Sequence, residues 1–142
     1  MQQLIWISQM KKPSIFLLEE DNDSRSLLNK LLKDKGYKVK SSASREDALQ
    51  RTQDELIKSD LILMGVVGKS SEEALSVGQQ LRQNSNPVAP LVVIVPKYPQ
   101  DKEGTNEEVG KNEYFAYLGE NAEEFIDLLA SLTENKQSDL PN

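Results

Sequence analysis

The stretch Asp60-Leu61-Ile62-Leu63-Met64-Gly65 decides the fold. Four apolar residues in a row, entered from an aspartate and left through a glycine, have the length and the bounds of a strand buried on both faces. Two further runs share that form. Ile15-Phe16-Leu17-Leu18 precedes Glu19-Glu20-Asp21, and Leu91 to Val95 precedes Pro96. Between the runs the apolar period becomes helical. Leu27, Leu28, Leu31 and Leu32 form one stripe behind a cap at Asp23 or Ser24, stopped by Gly36. Ser44-Arg45-Glu46-Asp47 reads as a capping box opening a helix with Ala48, Leu49, Leu56 and Ile57 inward. Ser70 with Glu73 caps a third helix carrying Leu75, Val77 and Leu81.

Tyr37 to Ser41 is a shorter, more polar strand, and Tyr114 to Leu118 is the last one. Asn121 to Glu124 then caps a final helix with Phe125, Leu128, Leu129 and Leu132 on its core face. The order is (βα)5, an α/β class with a doubly wound parallel sheet, because right-handed crossovers leave few other topologies. One element is doubtful. Pro96 to Gly110 holds two prolines, glycine and many charges without an apolar face, which predicts a loop or frayed turn and a weak or missing fourth helix. The domain is expected over 13–134, with an N-terminal extension at 1–12 and a flexible C-terminal tail at 135–142.

With 142 residues, 37% hydrophobic and 28% charged, the chain suits one globular domain. Cysteine and histidine are absent, which excludes disulfides, thiolate or imidazole metal sites, Ser-His catalysis and a phosphohistidine carrier. A net charge of -6 disfavours nucleic acid as a partner. No apolar run reaches the length of a membrane span and no secretory signal opens the sequence, so a cytoplasmic protein without membrane contact is expected.

In sheets of this kind the working site lies at the carboxyl ends of the strands, which directs attention to Glu20, Asp21, Gly65, Val95, Pro96 and Tyr117. Here the pattern resembles the receiver domains of two-component response regulators, which have a flavodoxin-like fold, over about residues 13–134. The segments that carry the likeness are Leu18-Glu19-Glu20-Asp21 with Arg25, Gly36-Tyr37-Lys38-Val39, Asp60-Leu61-Ile62-Leu63, Leu81-Arg82, Pro90 before Leu91 to Val95, and Gly110 before Tyr114. The 44 residues from Asp21 to Gly65 and the 30 from there to Val95 agree with receiver spacing.

The resemblance implies phosphoryl transfer to an aspartate ending the third strand, with magnesium held by an acidic pair after the first. Glu20 and Asp21 match the pair. The nucleophile position falls on Gly65, which has no side chain, and Met64 and Val66 beside it are equally inert. Asp60 is the nearest acid, but it lies at the start of the strand, about 16 Å away. The family's hydroxyl falls on Val95 and its lysine on Tyr117. The proline that usually follows in a cis bond is Leu118, so a trans bond and a rerouted loop are expected. Tyr114 matches the family's aromatic switch position, though a groove-filling ring is the stronger reading.

Nucleophile, hydroxyl and cation are thus missing together. The expectation is a pseudo-receiver: no enzyme, but a phosphorylation-independent interaction module in signal transduction. It would have no cofactor beyond weak magnesium binding and would use a protein partner. Two alternatives stand beside it, a receiver phosphorylated at a non-standard acid and a small-ligand-binding module. Tyr114, Phe115 and Tyr117 are the candidate partner-binding residues, near an irregular 97–110 segment that can order on binding. Leu4-Ile5-Trp6-Ile7 is a second apolar candidate, able to pack on the domain, add an edge strand or mediate a homodimer.

Overall fold

A computed structural model describes residues 12–53 and 58–138, with side chains up to 133. The expectations for Leu56, Ile57, Leu4-Ile5-Trp6-Ile7 and the tail beyond 138 lie outside the described residues. The elements are β1 (Ser14–Leu18), α1 (Asn22–Asp34), β2 (Lys38–Ser42), α2 (Arg45–Gln53), β3 (Leu61–Met64), α3 (Ser71–Ser85), β4 (Leu91–Ile94), a 3-10 turn (Gln100–Lys102), β5 (Thr105–Gly110), β6 (Glu113–Tyr117) and α4 (Glu123–Ser138).

The six strands form one sheet in the order β2-β1-β3-β4-β6-β5. All neighbours are parallel except β5 and β6, which pair as an antiparallel hairpin. The central runs are buried on both sides, and alternate residues feed two cores. Phe16, Leu18, Ile62, Met64 and Val93 join Ala48 of α2 and Ala74, Val77 and Leu81 of α3. Ile15, Leu17, Leu61, Leu63 and Val92 join Leu32 of α1 and Phe125 and Leu129 of α4. Helices therefore cover both faces, as the alternation of elements requires.

Between β4 and β6 no α-helix forms, as expected, but the segment departs from the sequence reading in another way. The segment expected to be a loop makes the 3-10 turn and then an exposed edge strand, closed onto β6 through Lys111 and Asn112, with Asn112 at φ 61. Strand β5 buries almost nothing, so apolar periodicity could not reveal it; its backbone pairing to β6 is what forms it. The chain also has its α1 cap two residues earlier than expected. Asp21, not Asp23 or Ser24, caps the helix by accepting from the Ser24 N–H at 2.8 Å. Leu27 points away from the core and is 71% exposed.

Candidate functional site

Strand ends converge at one edge of the sheet, and two loops there are stitched together by backbone bonds. Gly65 N–H donates to Leu18 O at 2.9 Å and Glu20 N–H to Val66 O at 3.0 Å. Between these bonds lies Glu19, the first residue after β1, which is only 2% exposed. Its carboxylate accepts from the Val66 N–H at 3.0 Å and from the Asp21 N–H at 2.9 Å. Burial raises its pKa above the ordinary value of 4.5; the two backbone donors, and more weakly Arg25, pull the other way, while Asp21 adds to the rise.

That carboxylate crosses the face of Gly65. A Cβ built on Gly65 would lie 2.8 Å from the Glu19 Cδ and nearer still to Oε1, inside any ordinary contact. Gly65 does not have a positive φ, unlike Gly36, Gly68 and Gly104. Backbone conformation is therefore not the reason for this glycine; the reason is space. Where an acceptor aspartate would project, the chain places its own glutamate, held by two N–H donors.

The pair Glu20 and Asp21, expected to face a metal, is used otherwise. Glu20 Oε1 accepts from the Gly68 N–H at 2.9 Å, which ties the two loops, and Asp21 is the α1 cap. The cap bond to Ser24 holds the Asp21 pKa below its usual range. Among the described residues no three acidic side chains gather as a metal site. With Gly65 unable to contribute a ligand and each acid of Glu19-Glu20-Asp21 bonded to backbone, the residues present do not fit a magnesium ion.

Val95 is buried at the end of β4, its N–H donating to Ala116 O at 3.0 Å, and offers no hydroxyl. Tyr117 is buried at the end of β6. Its ring packs edge-on against Tyr98 at 5.4 Å, its hydroxyl donates to Glu107 Oε1 at 2.6 Å, and Lys102 Nζ stands 5.0 Å from the ring centre. Burial first, then the bond to Glu107, raises the Tyr117 pKa. The bond to Leu118 is trans, since the described chain holds no cis peptide. The carbonyl of Leu118 accepts from the Tyr98 hydroxyl, and the Gly104 N–H donates to Tyr117 O at 2.8 Å. The β5 hairpin and its lead-in thus fill the corner where a lysine would enter.

The three aromatics do not form one surface. Strand alternation sends Phe115 into the core with α2 and α3 and Tyr114 into the core with α1 and α4, while Tyr117 is covered by the 98–107 segment. Asp60 lies at the opposite edge, where its carboxylate accepts from the Ser14 N–H at 2.9 Å. Two clefts meet at Val66 and Pro96, and the second has Glu19 in its lining. One, of about 320 Å³, is lined by Gly65 to Ser71, Pro96 and Lys97. The other, of about 380 Å³, is apolar, with Leu27, Leu28, Val66, Pro96, Tyr98 and Leu118 in its walls. Glu19 is the site residue that sequence reasoning passed over. Its place directly after a buried strand did not by itself mark it among three consecutive acids.

No protein-family model matches the sequence. The fold, however, is that of response-regulator receiver domains. The chemotaxis protein CheY4 of Vibrio cholerae superposes with a TM-score of 0.64 at 17% identity, covering 86% of this chain and 99% of that one. The N-terminal domain of a response regulator/sensory box/GGDEF protein from Carboxydothermus hydrogenoformans gives 0.63 at 18%, covering 89% and 98%. The receiver domain of a sensor histidine kinase from Pseudomonas aeruginosa, whose structure has magnesium coordinated in the active-site cleft, gives 0.59 at 19%, covering 87% and 97%. No helix among the described residues is long and apolar enough to cross a membrane.

Proposed function

We propose that this chain is a receiver-fold interaction module of a signalling pathway that works without aspartyl phosphate and without enzymatic activity. The observation that carries this reading is the Glu19 carboxylate lying across Gly65 and taking the Val66 N–H. A phosphoryl group arriving there would meet a resident anion and no acceptor aspartate. Nor would a hydroxyl from Val95 or a cation from Tyr117 offset its charge. Output then depends on which protein recognises the fixed surface, and cytoplasmic signalling through a protein partner fits such a module.

The experiment is intact-mass measurement after incubation with acetyl phosphate and magnesium. The expected result is an unchanged mass. A gain of one phosphoryl group, transient or stable, would sink the proposal and favour phosphorylation at a non-standard acid. Glu19 is the one carboxylate placed for that role, so the same assay on Glu19→Gln would locate the adduct.

A further inference from the structure

The two edges of the sheet carry opposite charge. Among the described residues β2 and β5 are the outermost strands, each with a neighbouring strand on one side. Into and along β2, Lys30, Lys33, Lys35, Lys38 and Lys40 are exposed, and Asp34 is the one acid in 30–40. Into and along β5, Asp101, Glu103, Glu107 and Glu108 are exposed, and Lys102 is the one base in 101–108.

The backbones of the two edges are complementary as well. Val95 N–H donates to Ala116 O, so Ala116 and, by alternation, Tyr114 turn their backbone groups to β4, while Phe115 and Tyr117 turn theirs to β5. Their partners Glu107 and Thr105 are bonded inward, which leaves the N–H and C=O of Asn106 and Glu108 facing outward. On the other edge, Lys38 N–H donates to Pro13 O at 2.9 Å and Ser42 O accepts from the Glu19 N–H. The backbone groups of Lys38, Lys40 and Ser42 thus face β1, and those of Val39 and Ser41 face outward. Ser41 O also accepts from Arg51 at 3.0 Å, and a carbonyl has a second lone pair.

Strand direction and face agree. β2 runs parallel to β6 through the sheet and β5 runs antiparallel to it, so a second molecule that continues the sheet lays its β2 antiparallel along β5. Lys40 pairs with Phe16 and Glu107 with Phe115, and both rings pack on the face covered by α2 and α3. The lysines and Glu107 therefore meet on one face. Setting Ser41 against Asn106 and Val39 against Glu108 places Lys40 opposite Glu107, and the next register of the same parity places Lys38 there.

We propose that a second copy of this chain docks head to tail, the basic β2 edge of one molecule along the acidic β5 edge of the next. A two-fold contact of either edge with itself would set glutamate against glutamate or lysine against lysine, and is disfavoured. Head-to-tail docking leaves one edge of each kind open, so the series does not close at a dimer. The contact is a single strand pair, small and charge-driven, and therefore weak and salt-sensitive. It does not rest on the absence of phosphoryl chemistry, which intact mass tests by itself.

Sedimentation velocity of the full chain at low salt is expected to show a mean mass that keeps rising with concentration past that of a dimer. High salt is expected to return the monomer. Lys38→Glu/Lys40→Glu reverses one edge, and Glu108→Pro removes an outward N–H on the other without touching a bond to β6. Each is expected to weaken self-association about tenfold or more, with circular dichroism verifying the fold. Mixed, each supplies the edge that the other lacks, so a one-to-one pair that grows no further is expected. A dimer that stops growing in the full chain, or a mixture no more associated than its components, would overturn the proposal. A monomer at every concentration would overturn it too, and would leave the edges to other partners of opposite charge.

Discussion

The carboxylate of Glu19 and the missing side chain of Gly65 compete for one space. A Cβ on Gly65 would stand 2.8 Å from Glu19 Cδ and 3.3 Å from Glu19 Cβ, while the glutamate is fixed by the N–H groups of Asp21 and Val66. A flexible glutamate on the surface would step aside at little cost. A buried one must first give up both bonds.

Gly65→Ala is therefore expected to destabilise the fold by about 1–3 kcal/mol, the usual range for overpacking a close-packed site. In the Glu19→Ala background the clashing carboxylate is gone, so the same change is expected to cost much less. Urea unfolding of the four proteins would measure the coupling, expected at about 1 kcal/mol or more. Additive effects would show that Glu19 does not hold its place against Gly65.

Gly65→Asp supplies a nucleophile but not a site. The new carboxylate meets Glu19, and the positions of Val95 and Tyr117 still lack a hydroxyl and a cation for the developing charge. Phosphorylation by acetyl phosphate is expected to remain undetected in Gly65→Asp by intact mass. Labelling as fast as in an ordinary receiver would show that the other strand ends matter less than argued.

The buried Glu19 also makes a pH signature. Its folded pKa is raised above 4.5, so the folded state binds the proton more tightly than the unfolded chain. The stability it contributes is fully present below pH 4.5 and is lost as pH rises through the folded value. Asp21, Glu73 and Glu107 have lowered pKa values and act in the opposite sense, losing stability as pH falls. The comparison must thus be differential. The stability of the wild type minus that of Glu19→Gln is expected to increase as pH falls toward 4.5 and then level off. A difference independent of pH would mean that Glu19 has the same pKa in both states.

Much of this was legible in the sequence. The three apolar runs, the Ser44 and Ser70 caps and the positions of Gly65, Val95 and Tyr117 at strand ends all follow from periodicity and punctuation, because buried parallel strands leave a strong apolar trace. Strand β5 left none, since its exposed residues are held by backbone pairing that side chains do not encode. Glu19 was hidden for another reason. In a run of three acids, pattern alone does not tell which carboxylate turns inward. The likeness to receivers drew attention to Glu20 and Asp21, which serve a loop tie and a helix cap.

An ion pair ties the turn end of the β5–β6 hairpin to α3. Glu113 opens β6 and is buried; its carboxylate binds Arg82 of α3, with Gln79 Nε2 at 3.1 and 3.2 Å from its two oxygens. Arg82 also donates to Asn112 O at 3.2 Å, in the hairpin turn, and lies 3.5 Å from Ala89 O before β4. Arg82→Met keeps the length of the stem but leaves Glu113 charged against a single amide and strips the turn carbonyl of its donor. Removing one partner of a buried pair costs about 3–5 kcal/mol, and the 15% exposure of the Arg82 side chain puts this site toward the lower end. Arg82→Met/Glu113→Leu removes both charges and is expected to recover a large part of that loss. Urea midpoints would give the totals, and amide exchange would show β5 and β6 losing protection before β1 and β3 in the single variant. A loss under about 0.5 kcal/mol, typical of surface sites, would place the stability of the hairpin elsewhere.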